Sequence, residues 1–136
     1  MTLTYILVSL VGGILFGLMD GFINANPLAV RLYAAYRPIA RTSINAPAAL
    51  VIDLAYGFIM AAIFLLLYRS LPGGVGIAKG LSFGLLVWFF RVVMNVASQW
   101  VMFTIPVPGL LYMAAAGLVE MLLLGVLFGL TLRPAF

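Results

Sequence analysis

Apolar residues along this chain run on for about twenty positions at a time before polar residues, glycine and proline interrupt them. Four such runs lie at about 4–25, 47–68, 80–103 and 110–132. A helix needs about 20 mainly apolar residues to cross the hydrocarbon core of a bilayer. Membrane-spanning strands alternate faces every second residue, whereas these runs are apolar all round. The pattern predicts an all-α integral membrane protein, a four-transmembrane-helix bundle forming one domain over residues 1–136, with both termini on one side. The breaks agree with that count. Asn26-Pro27 follows the first run and Asn45-Ala46-Pro47 opens the second. Leu71-Pro72-Gly73-Gly74 lies before the third, and Ile105-Pro106-Val107-Pro108-Gly109 makes a tight turn before the fourth.

Residues 26–46 form the one long polar connection. Asn26 is placed to cap a short helix with Pro27 in its first turn, and Pro38 would end that helix near Arg37. Leu28, Leu32 and Tyr36 share one side, while Arg31, Arg37 and Arg41 spread over the others. This pattern predicts a basic interfacial segment lying on the headgroups; the alternative is an irregular basic loop. The first run reads as a retained helix, because residues 1–5 carry no Lys or Arg and no small-residue cleavage site follows.

Orientation is poorly encoded. Arg31, Arg37 and Arg41 on one side balance Arg69, Lys79 and Arg133 on the other, so the positive-inside rule gives 3 − 3 = 0. The commoner arrangement places the termini in the cytoplasm of a bacterial-type inner membrane. A dual-topology homodimer of antiparallel copies is the other arrangement compatible with this balance. Tyr5 and Tyr68 would mark one interface and Tyr36, Trp100 and Tyr112 the other, with Trp88 packed inside the bundle.

Small residues recur at helical spacing. Gly13, Gly17 and Gly21 fall every fourth position on the first helix; Gly117, Gly125 and Gly129 line the fourth, and Gly84 sits on the third. Such positions let helix backbones approach closely and gain dispersion contact. The segment Gly13-Ile14-Leu15-Phe16-Gly17 resembles Gly80-Leu81-Ser82-Phe83-Gly84, at an offset of 80 − 13 = 67. The same offset carries Asp53 to Glu120. It points to two helical hairpins repeated in parallel, related by a pseudo-twofold along the membrane normal.

Each helix also carries one ionisable residue: Asp20, Asp53, Arg91 and Glu120. A charge at the bilayer centre costs about 2.5–3.5 kcal/mol on insertion scales, so these groups are expected to face one another. Helical spacing puts Asn95 and Gln99 on the same stripe as Arg91, giving an internal polar seam. Arg91 and Glu120, both near mid-span, are the expected direct pair. Arg31, Arg37 or Arg41 could reach Asp20 and Asp53, which lie nearer one interface.

Composition then narrows the chemistry. Hydrophobic residues make up 66% of the chain and charged ones 7%, too few to cover a water-facing surface. Cysteine and histidine are absent, which removes thiolate and imidazole metal sites and histidine-assisted nucleophiles. No metal, no cofactor and no enzymatic activity are expected. The net charge of +4 comes from scattered residues, not the clustered face a nucleic acid requires. Gly74, Gly76 and Gly80 do not match a dinucleotide fingerprint, and the methionines read as core. Two functions remain: a non-enzymatic packing or accessory subunit of a membrane complex, and a small proton- or cation-coupled transporter or channel. The partners either implies are the lipid bilayer, further copies of the chain or other membrane subunits.

Overall fold

Asparagine and proline decide where the connecting elements begin. In the computed structural model, which describes residues 1–134, the Asn26 side chain accepts a hydrogen bond from the Ala29 amide and Pro27 occupies the first turn. Asn45 caps the next long helix through the Ala48 amide, with Pro47 in that first turn. The elements are α1 (Thr2–Ala25), α2 (Pro27–Leu32), a 3-10 turn over Ala34–Ile39, α3 (Ala46–Leu67), α4 (Ile77–Met102) and α5 (Val107–Thr131). Helices α1, α3, α4 and α5 are long and apolar enough to cross a membrane. No strand occurs among the described residues. The chain is an integral membrane protein built as a four-helix bundle.

The long helices pack as two antiparallel hairpins, α1 with α3 and α4 with α5, joined chiefly through α1 against α5. Glycine makes both hairpins tight. A Cβ on Gly13 would lie 2.8 Å from the Asp53 carbonyl oxygen, and one on Gly57 would strike the Ser9 carbonyl. In the second hairpin, a Cβ on Gly84 would sit 2.7 Å from the Met121 carbonyl, while Gly80, Gly125 and Gly129 meet backbone on backbone. Between the hairpins the chain turns through Gly73 at φ +107° and Gly76 at φ +64°, a region that L side chains rarely adopt.

The crossings define a correspondence between the hairpins. Gly57 approaches Ser9 and Gly13 as Gly125 approaches Gly80 and Gly84. The offsets are 84 − 13 = 71 on the first helices and 125 − 57 = 68 on the second. The single offset of 67 is thereby corrected: it aligned similar letters, whereas the crossings align Gly13 with Gly84 and Gly57 with Gly125. Two other glycines also differ from expectation. A Cβ on Gly21 would have nothing within 4 Å, so Gly21 makes no crossing, and Gly117 packs on the Val92 side chain rather than on backbone.

Most of the large buried side chains lie in the half of the bundle nearest the termini. Phe16, Phe64, Phe83, Phe128, Met121 and Leu124 are buried there. The Phe64 and Phe83 rings meet edge to face at 5.3 Å, tying α3 to α4. Towards the opposite end the helices part. Midway along α4, Phe89–Val93 forms a π turn in which the Met94 amide bonds back to the Phe89 carbonyl. Gly80, Gly84, Trp88, Val92 and Val96 all face inward. Steps of four drift about 40° per turn of an ordinary helix, and the wider π turn absorbs that drift.

Candidate functional site

Where the helices part, they enclose a polar cavity of about 380 Å³. Asp20 and Asn24 enter it from α1, Arg91 and Asn95 from α4, Glu120 and Met113 from α5, and Tyr33 from the connecting segment. The π turn brings Arg91 and Val92 to the wall together, Val92 against Gly117.

Glu120 is the most deeply placed charge. Its side chain is 2% exposed, and its Oε1 has no hydrogen-bond partner among the described residues. Arg91 Nη1 stands 3.6 Å from that oxygen, an ion pair longer than a hydrogen bond. The guanidinium instead lies 4.7 Å from the centroid of the Phe16 ring, a cation–π contact from α4 to α1. Asp20 lines the same cavity as Glu120, and two carboxyl groups can bond to each other only when one carries a proton.

Asp53 lies outside the cavity wall. Its Oδ2 rests on Gly17, 2.7 Å from where a Cβ would be. Asp53 and Asp20 both border a second hollow of about 530 Å³ on the outer side of the α1–α3 pair, lined also by Gly17, Gly21, Ala46 and Ala49. Asp20 and Asn24 border both hollows.

Gln99 departs from the expected seam. It lies beyond the cavity wall, where its Oε1 accepts a hydrogen bond from the Tyr36 hydroxyl and its Nε2 faces Met113 Sδ at 3.8 Å. Arg31, Arg37 and Arg41 are exposed, and among the described residues none pairs with Asp20 or Asp53. Trp88 packs inside, donating from Nε1 to the Ala114 carbonyl at 2.9 Å.

The connecting segment caps the cavity, which its composition does not announce. Its α-helix ends at Leu32, earlier than expected, and Pro38 falls within the 3-10 turn that follows. Asn26 Nδ2 donates to the Tyr112 hydroxyl at 2.8 Å, and that hydroxyl donates to the Ile23 carbonyl at 2.6 Å. Gly109 leaves room for the Leu32 carbonyl. Tyr33 stacks edge-on against Tyr112 at 5.6 Å and Tyr36 at 5.7 Å. Burial first, then Tyr112, Tyr36 and Asp20, push the Tyr33 phenol up to about 12, so at neutral pH its hydroxyl remains a donor over the cavity. Sequence spacing gave no signal for Tyr33. For Lys79 a signal existed. The turn that leaves α3 had carbonyls in need of a donor, and the Lys79 ammonium donates to those of Tyr68 and Leu71 at 2.6 and 2.8 Å.

Among the described residues no group of three metal-ligating side chains comes together. The chain matches no protein-family model, no curated protein and no solved structure.

Proposed function

We propose that the protein is a small, non-enzymatic carrier in which protons and a cation compete for the carboxylates of the membrane cavity. The observation that carries this reading is the Glu120 oxygen, buried without a hydrogen-bond partner and facing a polar hollow. A subunit that only packs against others has no use for such a group, whose burial costs about 1–3 kcal/mol. Charge arithmetic supports the same reading. Asp20, Asp53 and Glu120 against Arg91 give 1 − 3 = −2 around the two hollows. One proton shared by Asp20 and Glu120 brings the sum to −1, and a bound monovalent cation brings it to zero. Arg91 keeps the two acids from holding further cations, and Asp53, Tyr33 and Arg91 are the remaining titratable or charged groups around the pair.

Flux into proteoliposomes under an imposed pH gradient tests the proposal. Glu120→Gln and Asp20→Asn should each lower cation-coupled proton movement about tenfold or more, while Glu120→Asp retains a measurable part. Undiminished flux in Glu120→Gln would remove the cavity from function. The subunit reading draws on one observation, the outward hollow lined by Gly17, Gly21, Ala46 and Ala49, which a foreign helix could fill. Foreign polypeptides that stay bound through purification in mild detergent, together with absent flux, would favour it. Reporter fusions to the termini would establish whether they lie in the cytoplasm of an inner membrane, as proposed, or on both sides.

A further inference from the structure

The two hollows are neighbours that share a wall, and the shared residues are Asp20 and Asn24. The outer one opens between α1 and α3, on a face that a spanning helix turns to lipid. Its lining is mainly apolar: Gly17, Gly21 and Ala49 leave the space, and Leu18, Ile44 and Leu50 add aliphatic wall. Past the Gly13–Gly57 crossing the two backbones separate, and Gly21 has open space where a Cβ would be. The acidic groups sit at the inner edge of this opening. Asp53 lies on Gly17, Asp20 stands between the hollows, and beyond it the cavity presents the Glu120 oxygen, which accepts no hydrogen bond and has Arg91 at 3.6 Å.

Carboxylates at the base of an apolar opening select a particular chemistry. A compact hydrated ion gains nothing from the apolar walls and must shed its water in hydrocarbon, which is costly. A neutral apolar molecule gains the walls but leaves the carboxylates without a counter-charge. A cation whose charge is spread over an apolar body satisfies both. At about 530 Å³ the hollow falls in the range of pockets that hold drug-sized ligands, about 300–1,000 Å³.

We infer that the α1–α3 opening admits a lipophilic organic monocation sideways from the bilayer and delivers its charge to Asp20 and Glu120. This rests on the carrier reading and names its substrate class and route. The apolar body occupies the space beside Gly21 and Ala49. The charged centre takes the position that the shared proton otherwise holds, so substrate and proton exclude one another at the same two carboxyls. The route needs no aqueous entrance at the packed end of the bundle.

Equilibrium binding of radiolabelled tetraphenylphosphonium to the full chain in phosphatidylcholine nanodiscs tests the inference, with choline as a compact competitor. Saturable binding is expected, little displaced by choline. Gly21→Leu and Ala49→Leu fill the opening from opposite helices, and each should weaken binding about tenfold. Asp20→Asn should do the same, while Leu66→Ala, on a lipid-facing position 83% exposed, should not. A monodisperse elution profile and unchanged helix content establish that each variant is folded. Binding retained in both leucine variants would overturn the lateral route. Loss of a dimer rather than of affinity in those variants would overturn it also, by giving the opening to a second copy. Proton flux without tetraphenylphosphonium binding would sink the substrate class and spare the carrier; absence of both would sink the carrier with it.

Discussion

Lys79 and Glu120 are both almost wholly buried, and their surroundings treat them in opposite ways. The lysine is fully engaged: two carbonyls of the turn after α3 accept from it, and its ammonium lies 4.8 Å from the centroid of the Tyr68 ring. Nothing is left over for a ligand. The glutamate has an oxygen that accepts no hydrogen bond and meets Arg91 only at 3.6 Å. The same contrast between a committed position and an open one separates the glycines. At Gly125 an added methyl would collide with the Gly80 carbonyl, whereas at Gly21 it would touch nothing. Gly125→Ala should therefore destabilise the fold by about 1–3 kcal/mol through forced separation of α4 and α5. Gly21→Ala should stabilise it by about 0.5–1 kcal/mol, because alanine has less freedom to lose in a helix. Unfolding of the two variants in mixed detergent gives both signs, and a loss at Gly21 would contradict the open geometry there.

The helices themselves were legible because crossing a bilayer demands length and apolarity, and both are visible residue by residue. Their ends were legible wherever Asn and Pro act locally, as at Asn26, Asn45 and Pro47. The grouping of Asp20, Arg91 and Glu120 followed from the expense of leaving any of them in hydrocarbon. What could not be read is what depends on distant contacts. The π turn follows from what α4 must pack against, and no residue among Phe89–Val93 announces it. The cap over the cavity depends on Tyr33 and Leu32 meeting Tyr112 and Gly109, from elements far apart in the chain. Tyr33 gives that element a signature. Its folded phenol titrates near 12, above the ordinary 10.0, so between those values the unfolded chain releases the proton first and stability falls as pH rises. Burial raises Tyr36 as well, so an alkaline difference spectrum should show a late-ionising phase that shrinks in Tyr33→Phe, and that variant should lose less stability over the same interval. Coincident titration of all tyrosines near 10.0 would mean that the cap does not shield Tyr33.

Taken whole, the bundle is sealed at one end and hollow at the other. Phenylalanines from all four long helices close the half near the termini, while the cavity lies towards the side bearing Arg31, Arg37 and Arg41. Access from water to Asp20 and Glu120 in this state is therefore one-sided. The absence of cysteine makes that measurable with single replacements. Asn95→Cys should react with a membrane-impermeant maleimide added on the arginine-bearing side. Phe83→Cys should resist it from both sides, and labelling of Phe83→Cys from the side of the termini would show the seal to be open. The two ends meet at the π turn of α4. One surplus residue there sets the aim of Met94–Met102 separately from that of Ile77–Trp88. Excising it would swing everything downstream by about 100°, turning Asn95 out of the hollow while the glycine crossing stayed seated. An insertion or deletion of a single codon at this joint thus offers heredity a way to re-dress the chamber without disturbing the masonry beneath it.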